Sequence, residues 1–176
     1  MRKKYLLTGS IGIFFICIIS LLFVIKPPGT VKNILGVKHN GTLSFISTDK
    51  AAINEPFDIT VMMDTSGRNV NATGIYLKFD AQKLQLLQLD TKPSFCQFYP
   101  EKKYDNQLGT VSLACGSPHP GINGTGTLMI MQFIPLEIGD TFIRTSEKSQ
   151  ILQSDGKGTN ILTNYPAAKI TVVNRL

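Results

Sequence analysis

From Gly41 onward the chain is cut into short runs rich in β-branched, aromatic and other apolar residues, each closed by turn formers. The runs are Thr42–Ser47, Phe57–Asp64, Gly74–Phe79, Leu84–Leu89, Phe95–Phe98, Thr110–Cys115, Thr127–Pro135, Thr141–Ser146 and Lys169–Val173. Between them stand Asn54-Glu55-Pro56, Ser66-Gly67-Arg68-Asn69, Asp105-Asn106, Ser117–Gly126, Ile138-Gly139-Asp140 and Ser154–Asn160. Short strands at this spacing, punctuated by Gly, Asn, Asp and Pro, specify a sandwich or barrel. The alternation agrees. Ile75, Leu77 and Phe79 fall on one face of their run and Tyr76 and Lys78 on the other; Phe57, Ile59, Val61 and Met63 alternate with Asp58, Thr60, Met62 and Asp64. Leu128-Met129-Ile130-Met131 is apolar throughout, as in a central or covered strand. The only helical feature predicted here is one turn at Ala81–Leu84, capped by Asp80. Residues 41–176 are therefore read as one all-β domain of about nine strands, a sandwich or a barrel, long enough for a core of its own.

A different rule governs the start of the chain. Tyr5 to Ile25 carry no charge, and Ile11 to Ile25 are almost entirely Ile, Phe, Leu and Val. A span of roughly 20 apolar residues matches the hydrocarbon thickness of a bilayer. Arg2, Lys3 and Lys4 precede it and Lys26 comes after it, which keeps the N-terminus cytoplasmic and places the residues beyond Pro27 outside. A cleaved signal peptide is the competing reading. It would have a shorter apolar part and a small-x-small site, whereas here the apolar run continues to Val24-Ile25-Lys26-Pro27-Pro28 with no Ala-x-Ala pattern. The expectation is one N-terminal transmembrane helix in a single-pass cell-membrane protein. Residues 1–26 form the cytoplasmic stub and anchor, residues 27–40 a polar linker, and the β-domain is extracytoplasmic.

Charge excludes one class of partner. Of the net +6, Arg2, Lys3, Lys4 and Lys26 supply four, leaving +2 for the rest of the chain. A near-neutral domain with no Lys/Arg run lacks the footprint that nucleic acid requires. Catalysis finds no constellation either. His39 lies in the linker, His119 lies in Ser117-Pro118-His119-Pro120, and the acids are spread over turns and strands. No cofactor is expected. Ser154-Asp155-Gly156-Lys157-Gly158 has too few oxygen donors for calcium and reads as a tight turn. Cys17 lies in the apolar span, so Cys96 and Cys115 remain as a pair in the segment expected outside. An oxidising compartment favours a disulfide between them over two buried thiols.

Four segments, in order, carry a family resemblance. They are Asn54-Glu55-Pro56-Phe57 leading into Ile59-Thr60-Val61, and Ile75 through Phe79-Asp80-Ala81-Gln82-Lys83-Leu84, an aromatic-Asp-Pro-x-x-Leu signature with Ala81 in place of Pro. Then come Gly124-Thr125-Gly126-Thr127-Leu128 with Phe133, and Ser154–Ile161. Together they resemble a cohesin module, the β-sandwich half of the cohesin–dockerin pair, over about residues 41–173, which implies an all-β jelly-roll β-sandwich of about nine strands. The resemblance implies protein recognition. In cohesins the dockerin docks on a sheet face that includes the strand before the aromatic-Asp signature, and by position that face shows Ala72, Gly74, Tyr76 and Lys78. Family members place Asn and Asp where this chain has Ala72 and Gly74, which leaves an apolar or backbone-led interface. Tyr76 and His119 are contact candidates by residue type. Cohesins are similar in fold to cellulose-binding-type modules, so a surface glycan is the alternative ligand. Without any Trp, its candidate patch is Phe98, Tyr99 and Tyr104, in the connection between Cys96 and Cys115. The expected mechanism is display: the anchor fixes the module at the surface, and a face or loop cluster captures a dockerin-like protein or a polysaccharide.

Overall fold

A computed structural model describes residues 40–175. The expected anchor and nearly all of the linker lie outside the described residues, among which no helix is long and apolar enough to cross a membrane. Eleven strands form: β1 (Thr42–Ser47), β2 (Lys50–Ala52), β3 (Phe57–Asp64), β4 (Val70–Phe79), β5 (Leu84–Asp90), β6 (Phe98–Asp105), β7 (Thr110–Gly116), β8 (Thr125–Pro135), β9 (Gly139–Thr145), β10 (Gln150–Gln153) and β11 (Ala167–Val173). They make two sheets, one ordered β1-β3-β8-β5 and one ordered β2-β11-β9-β4-β7-β6, with β10 also pairing β4. The expected β-sandwich is therefore observed, with eleven strands in place of nine.

The two sheets close on an apolar core. Ile59, Val61 and Met63 from β3, Leu84 and Leu86 from β5, and Met129, Met131 and Phe133 from β8 face Ile75, Leu77 and Phe79 from β4, with Leu113 from β7 and Ile143 from β9. Each set keeps the two-residue period of its strand. The all-apolar run in β8 has a more local cause than cover on both faces. Val61 pairs with Met129 and Met62 with Thr127, so Leu128 is an unpaired bulge residue, and both Leu128 and Met129 are fully buried. Asparagine side chains supply pairing where strands do not. The Asn164 carboxamide accepts from the Leu43 amide and donates to its carbonyl (2.9 and 2.8 Å), and Asn106 does the same for Leu86 (2.8 and 3.0 Å).

Four strands depart from the sequence expectation, the first being β4, which begins at Val70 and not at Gly74. The run expected over Phe95–Phe98 pairs only from Phe98, and β6 continues to Asp105 through a segment expected to be a connection. The strands β2 and β10 were not expected. The turn after β4 forms as predicted in outline: the Asp80 carboxylate accepts from the Gln82 amide (3.0 Å) and its carbonyl from the Leu84 amide (2.9 Å). It is a hydrogen-bonded turn and not a helix.

At the β6–β7 hairpin Gly109 has φ +61°, its carbonyl accepts from the Phe79 amide (2.9 Å), and a Cβ there would collide with the Phe79 carbonyl oxygen. Gly109→Ala is expected to cost about 1–3 kcal/mol in urea unfolding. Gly67→Ala, at φ +77° with open space around it, is expected to cost less; equal losses would contradict the role given to the close approach.

Candidate functional site

β4 is the long central strand of the larger sheet, and its alternation sends Ala72, Gly74, Tyr76 and Lys78 to the outer surface. On one edge these residues meet β7 in register: Ala72 opposite Gly116, Gly74 opposite Ala114, Tyr76 opposite Ser112 and Lys78 opposite Thr110. On the other edge β9 pairs with Leu77–Phe79 and β10 with Val70–Gly74. The step between β9 and β10 falls opposite Tyr76. There the Ser146 amide donates to the Tyr76 carbonyl (2.8 Å), and the Tyr76 amide donates to the buried Ser149 hydroxyl (3.0 Å). The interruption thus leaves neither backbone group of Tyr76 without a partner.

Three small residues, Ala72, Gly74 and Ala114, make the middle of this face low. The result is an open, largely apolar depression of about 390 Å3, walled by Phe98 and Pro100 on one side and by Tyr76, Lys148, Gln150 and Leu152 on the other. The Phe98 ring lies over Gly116, where any Cβ would run into it, yet Phe98 remains 49% exposed. Its position has three causes. Cys96 and Cys115 are bridged with their Cα atoms 5.8 Å apart, the Gln97 amide donates to the Gly116 carbonyl (2.8 Å), and a register shift between Phe98 and Glu101 turns the strand. The disulfide expected from the cysteine count is present.

The residues singled out from sequence are redistributed. Ala72, Gly74, Tyr76 and Lys78 do share one face, and Phe98, expected in a separate aromatic patch, joins them. Tyr99 packs against the core and donates its hydroxyl to the Thr91 and Cys96 carbonyls (3.2 Å each). Tyr104 points to the opposite side of β6 from Phe98, beside Leu87, Gln88 and Leu89. The expected aromatic patch of Phe98, Tyr99 and Tyr104 is therefore not assembled, because the bulge and the strand period send the three rings in different directions. His119 sits exposed in the β7–β8 loop, beyond the Ala72 end of β4, and does not line the depression. Sequence reasoning missed Pro100, Lys148, Gln150, Leu152 and Arg144, of which only Arg144 had a signal, its alternation with Thr141, Ile143 and Thr145.

Charges on this face are partly paired. Glu101 accepts a hydrogen bond from Lys103 (2.7 Å) and raises the lysine pKa; Lys169 and then Thr171 lower that of Asp140. Away from the face, Asp155 accepts from the Thr159 hydroxyl (2.5 Å) and the Lys157 amide (2.9 Å), which hold its pKa down to about 2. Its oxygens are thus taken up by the turn itself. Because the folded value lies below the unfolded one, the contribution is present above the ordinary carboxylate range and is lost as pH falls toward about 2. In a carboxyl NMR titration Asp155 is expected near 2, moving back toward the ordinary range in Thr159→Val; no movement would remove Thr159 as the cause.

No family model matches the chain, and no curated protein sequence matches it. Solved structures do. The cohesin module of a family 33 glycoside hydrolase from Clostridium perfringens aligns with 78% of this chain and 99% of its own, at a TM-score of 0.64 and 11% identity. A cohesin from Clostridium acetobutylicum aligns with 76% of this chain and 91% of its own, at 0.62 and 16%. The third ScaC cohesin of Acetivibrio cellulolyticus, solved in complex with the ScaB dockerin, aligns with 76% and 99%, at 0.59 and 16%. The described domain has the cohesin fold.

Proposed function

We propose that this chain is a membrane-anchored, extracytoplasmic binding module that captures a dockerin-like partner protein on the outer face of its larger sheet. The observation that carries the reading is the apolar depression over β4, which lies on a fold that in the ScaC cohesin is found bound to a dockerin. A floor of small residues lets a partner's backbone or an apolar side chain come close to the sheet. Phe98 and Tyr76 supply the aromatic area that dominates interface energetics, and burying the half of Phe98 still exposed is worth about 0.8–1.5 kcal/mol. The mechanism is capture and display, with no bond made or broken. Support for the anchor comes from the uncharged Tyr5–Ile25 span and the basic residues before it.

Site-specific photocrosslinking in cells that make the full chain tests the face. A crosslinker at Tyr76 is expected to yield a discrete protein adduct, and one at Gln85, exposed on the other sheet, none. Adducts with polysaccharide only, or equal adducts from both positions, would overturn the reading. For the anchor, the chain is expected to stay with membranes through a high-salt wash at intact mass; loss of about 2–3 kDa would mean a cleaved signal peptide.

A further inference from the structure

We infer that the segment docking on this face is acidic at one end and apolar at the other, its carboxylates meeting Lys78, Arg144 and Lys148 while an apolar side chain fills the depression over Gly74 and Ala114. This rests on the proposed docking role of the face and assigns the chemistry of the partner. Lys78 on β4 and Arg144 on β9 are direct cross-strand partners, both exposed and both on the outer surface. Like charges in opposed positions destabilise a sheet, whereas an opposite pair there would stabilise it. Neither residue is relieved by a carboxylate: the ion pairs among the described residues are Lys103–Glu101, Lys169–Asp140 and Arg175–Glu55. The guanidinium of Arg144 instead lies 4.4 Å over the Phe142 ring, which holds its position and leaves its donors free for a carboxylate.

Lys148 extends the cationic end to the depression. It comes from the turn between β9 and β10 and lines both the apolar depression and a smaller one of about 220 Å3 shared with Tyr76, Lys78, Ser112 and Ser146. Asp80 and Asp140 share a depression of about 250 Å3 with Lys78 and Arg144, but all the acids of this face except Glu147 already have a partner of their own. Glu101 and Asp140 are ion-paired, Asp105 accepts from the Gln107 and Leu108 amides, and Asp80 accepts from the Gln82 amide. Glu147, next to Lys148, forms no ion pair among the described residues and lines none of these depressions. The face therefore runs along β4 from an apolar end to a cationic end. From Gly74 or Ala72 to Lys78 is roughly 13–20 Å, or about two and a half to four turns of a partner helix. A like-charge pair kept against its own repulsion beside an apolar hollow suits an acidic polypeptide. A uniform polyanion would find cations at one end only.

The test uses the full 176-residue chain in detergent micelles and a displayed library of random peptides, each about four helical turns long if helical. Peptides selected on the native chain are expected to be enriched in Asp and Glu at one end and in Leu, Phe or Tyr at the other. Their binding is expected to fall at least tenfold in Lys78→Glu/Arg144→Glu, and tenfold again in Phe98→Ala. The single change Lys78→Glu should raise Tm by about 2–4 °C while weakening binding, a combination that a purely structural role would not produce. Selected peptides with no acidic bias, sensitive to Phe98→Ala but not to charge reversal, would overturn the inference and leave protein capture standing. Failure to select any peptide, with polygalacturonate bound instead, would overturn both.

Discussion

Replacing Phe133 with alanine is expected to lower the stability of the domain by about 3–5 kcal/mol, the largest effect of any single side chain in the core. Phe133 is completely buried on β8, opposite Phe57 on β3 and Leu86 on β5. Its ring is 6.2 Å from that of Phe57, in a stacked arrangement, and 5.2 Å from that of Phe79, edge to face. The second contact crosses the sandwich, since Phe79 ends β4 in the other sheet. Deleting the ring removes buried apolar area, opens a cavity between the layers and takes away both aromatic contacts. Against a total stability of about 5–15 kcal/mol this is a large share, and Tm should fall by about 10–20 °C. In urea the midpoint should drop with the slope unchanged. Phe133→Leu should retain most of the stability, and Phe57→Ala, at a partly exposed ring, should cost clearly less than Phe133→Ala. A loss under about 1.5 kcal/mol for Phe133→Ala would mean that the two sheets do not meet through this residue.

Phe133 also marks how far the fold is legible in the sequence. Strands buried on one face and paired on both edges carry the two-residue period strongly, and β3 and β4 are legible from it, while β8 is legible from its continuous apolar run. Edge and short strands carry the period weakly. In β6 the pattern is overwritten by Glu101, Lys102, Lys103 and Asp105, charges that keep an edge from pairing with other chains, and by Pro100, so the segment reads as a loop. β2 is three residues long and β10 four, too short for any period to register. The bulge at Leu128 is invisible for another reason: an extra inward residue in an apolar run resembles cover on both faces until the partner register is known.

The site divides along the same line. Tyr76 and Lys78 obey the alternation of one strand and are legible from it, whereas Ala72 precedes the expected start of the strand at Gly74 and joins the face only through the family resemblance. Their surroundings depend on which strands lie beside β4, and that is decided across the sheet. Arg144 is opposite Lys78 although 66 positions separate their numbers, and Lys148, Gln150 and Leu152 arrive through the interruption opposite Tyr76. Phe98 and Tyr104 look like neighbours in the sequence because both lie within one connection. In a strand, six residues apart with a bulge between them, they fall on opposite sides.

Removing the bridge in Cys96→Ser/Cys115→Ser is expected to cost about 3 kcal/mol, because the two cysteines are 19 positions apart and the bridge restricts that loop in the unfolded chain. Both cysteines are buried, so the two hydroxyls add a polar burial cost. The consequence for the site is separate from the loss of stability. The bridge fixes the start of β6, which as an edge strand has only β7 beside it in its sheet. Without the bridge, the Gln97–Gly116 hydrogen bond and the seat of Phe98 over Gly116 depend on that one pairing. Well below its lowered Tm, the double variant should therefore lose hydrogen-exchange protection at the β6 amides while β4 stays protected, and partner capture should weaken with it. Reducing the native chain should give the same pattern. Such a bridge persists in an oxidising compartment, the setting that the proposed anchor would provide. A double variant that unfolds within about 0.5 kcal/mol of the native chain would show that β7 pairing alone holds β6. One that loses stability yet binds its partner unchanged would remove Phe98 as a wall of the site.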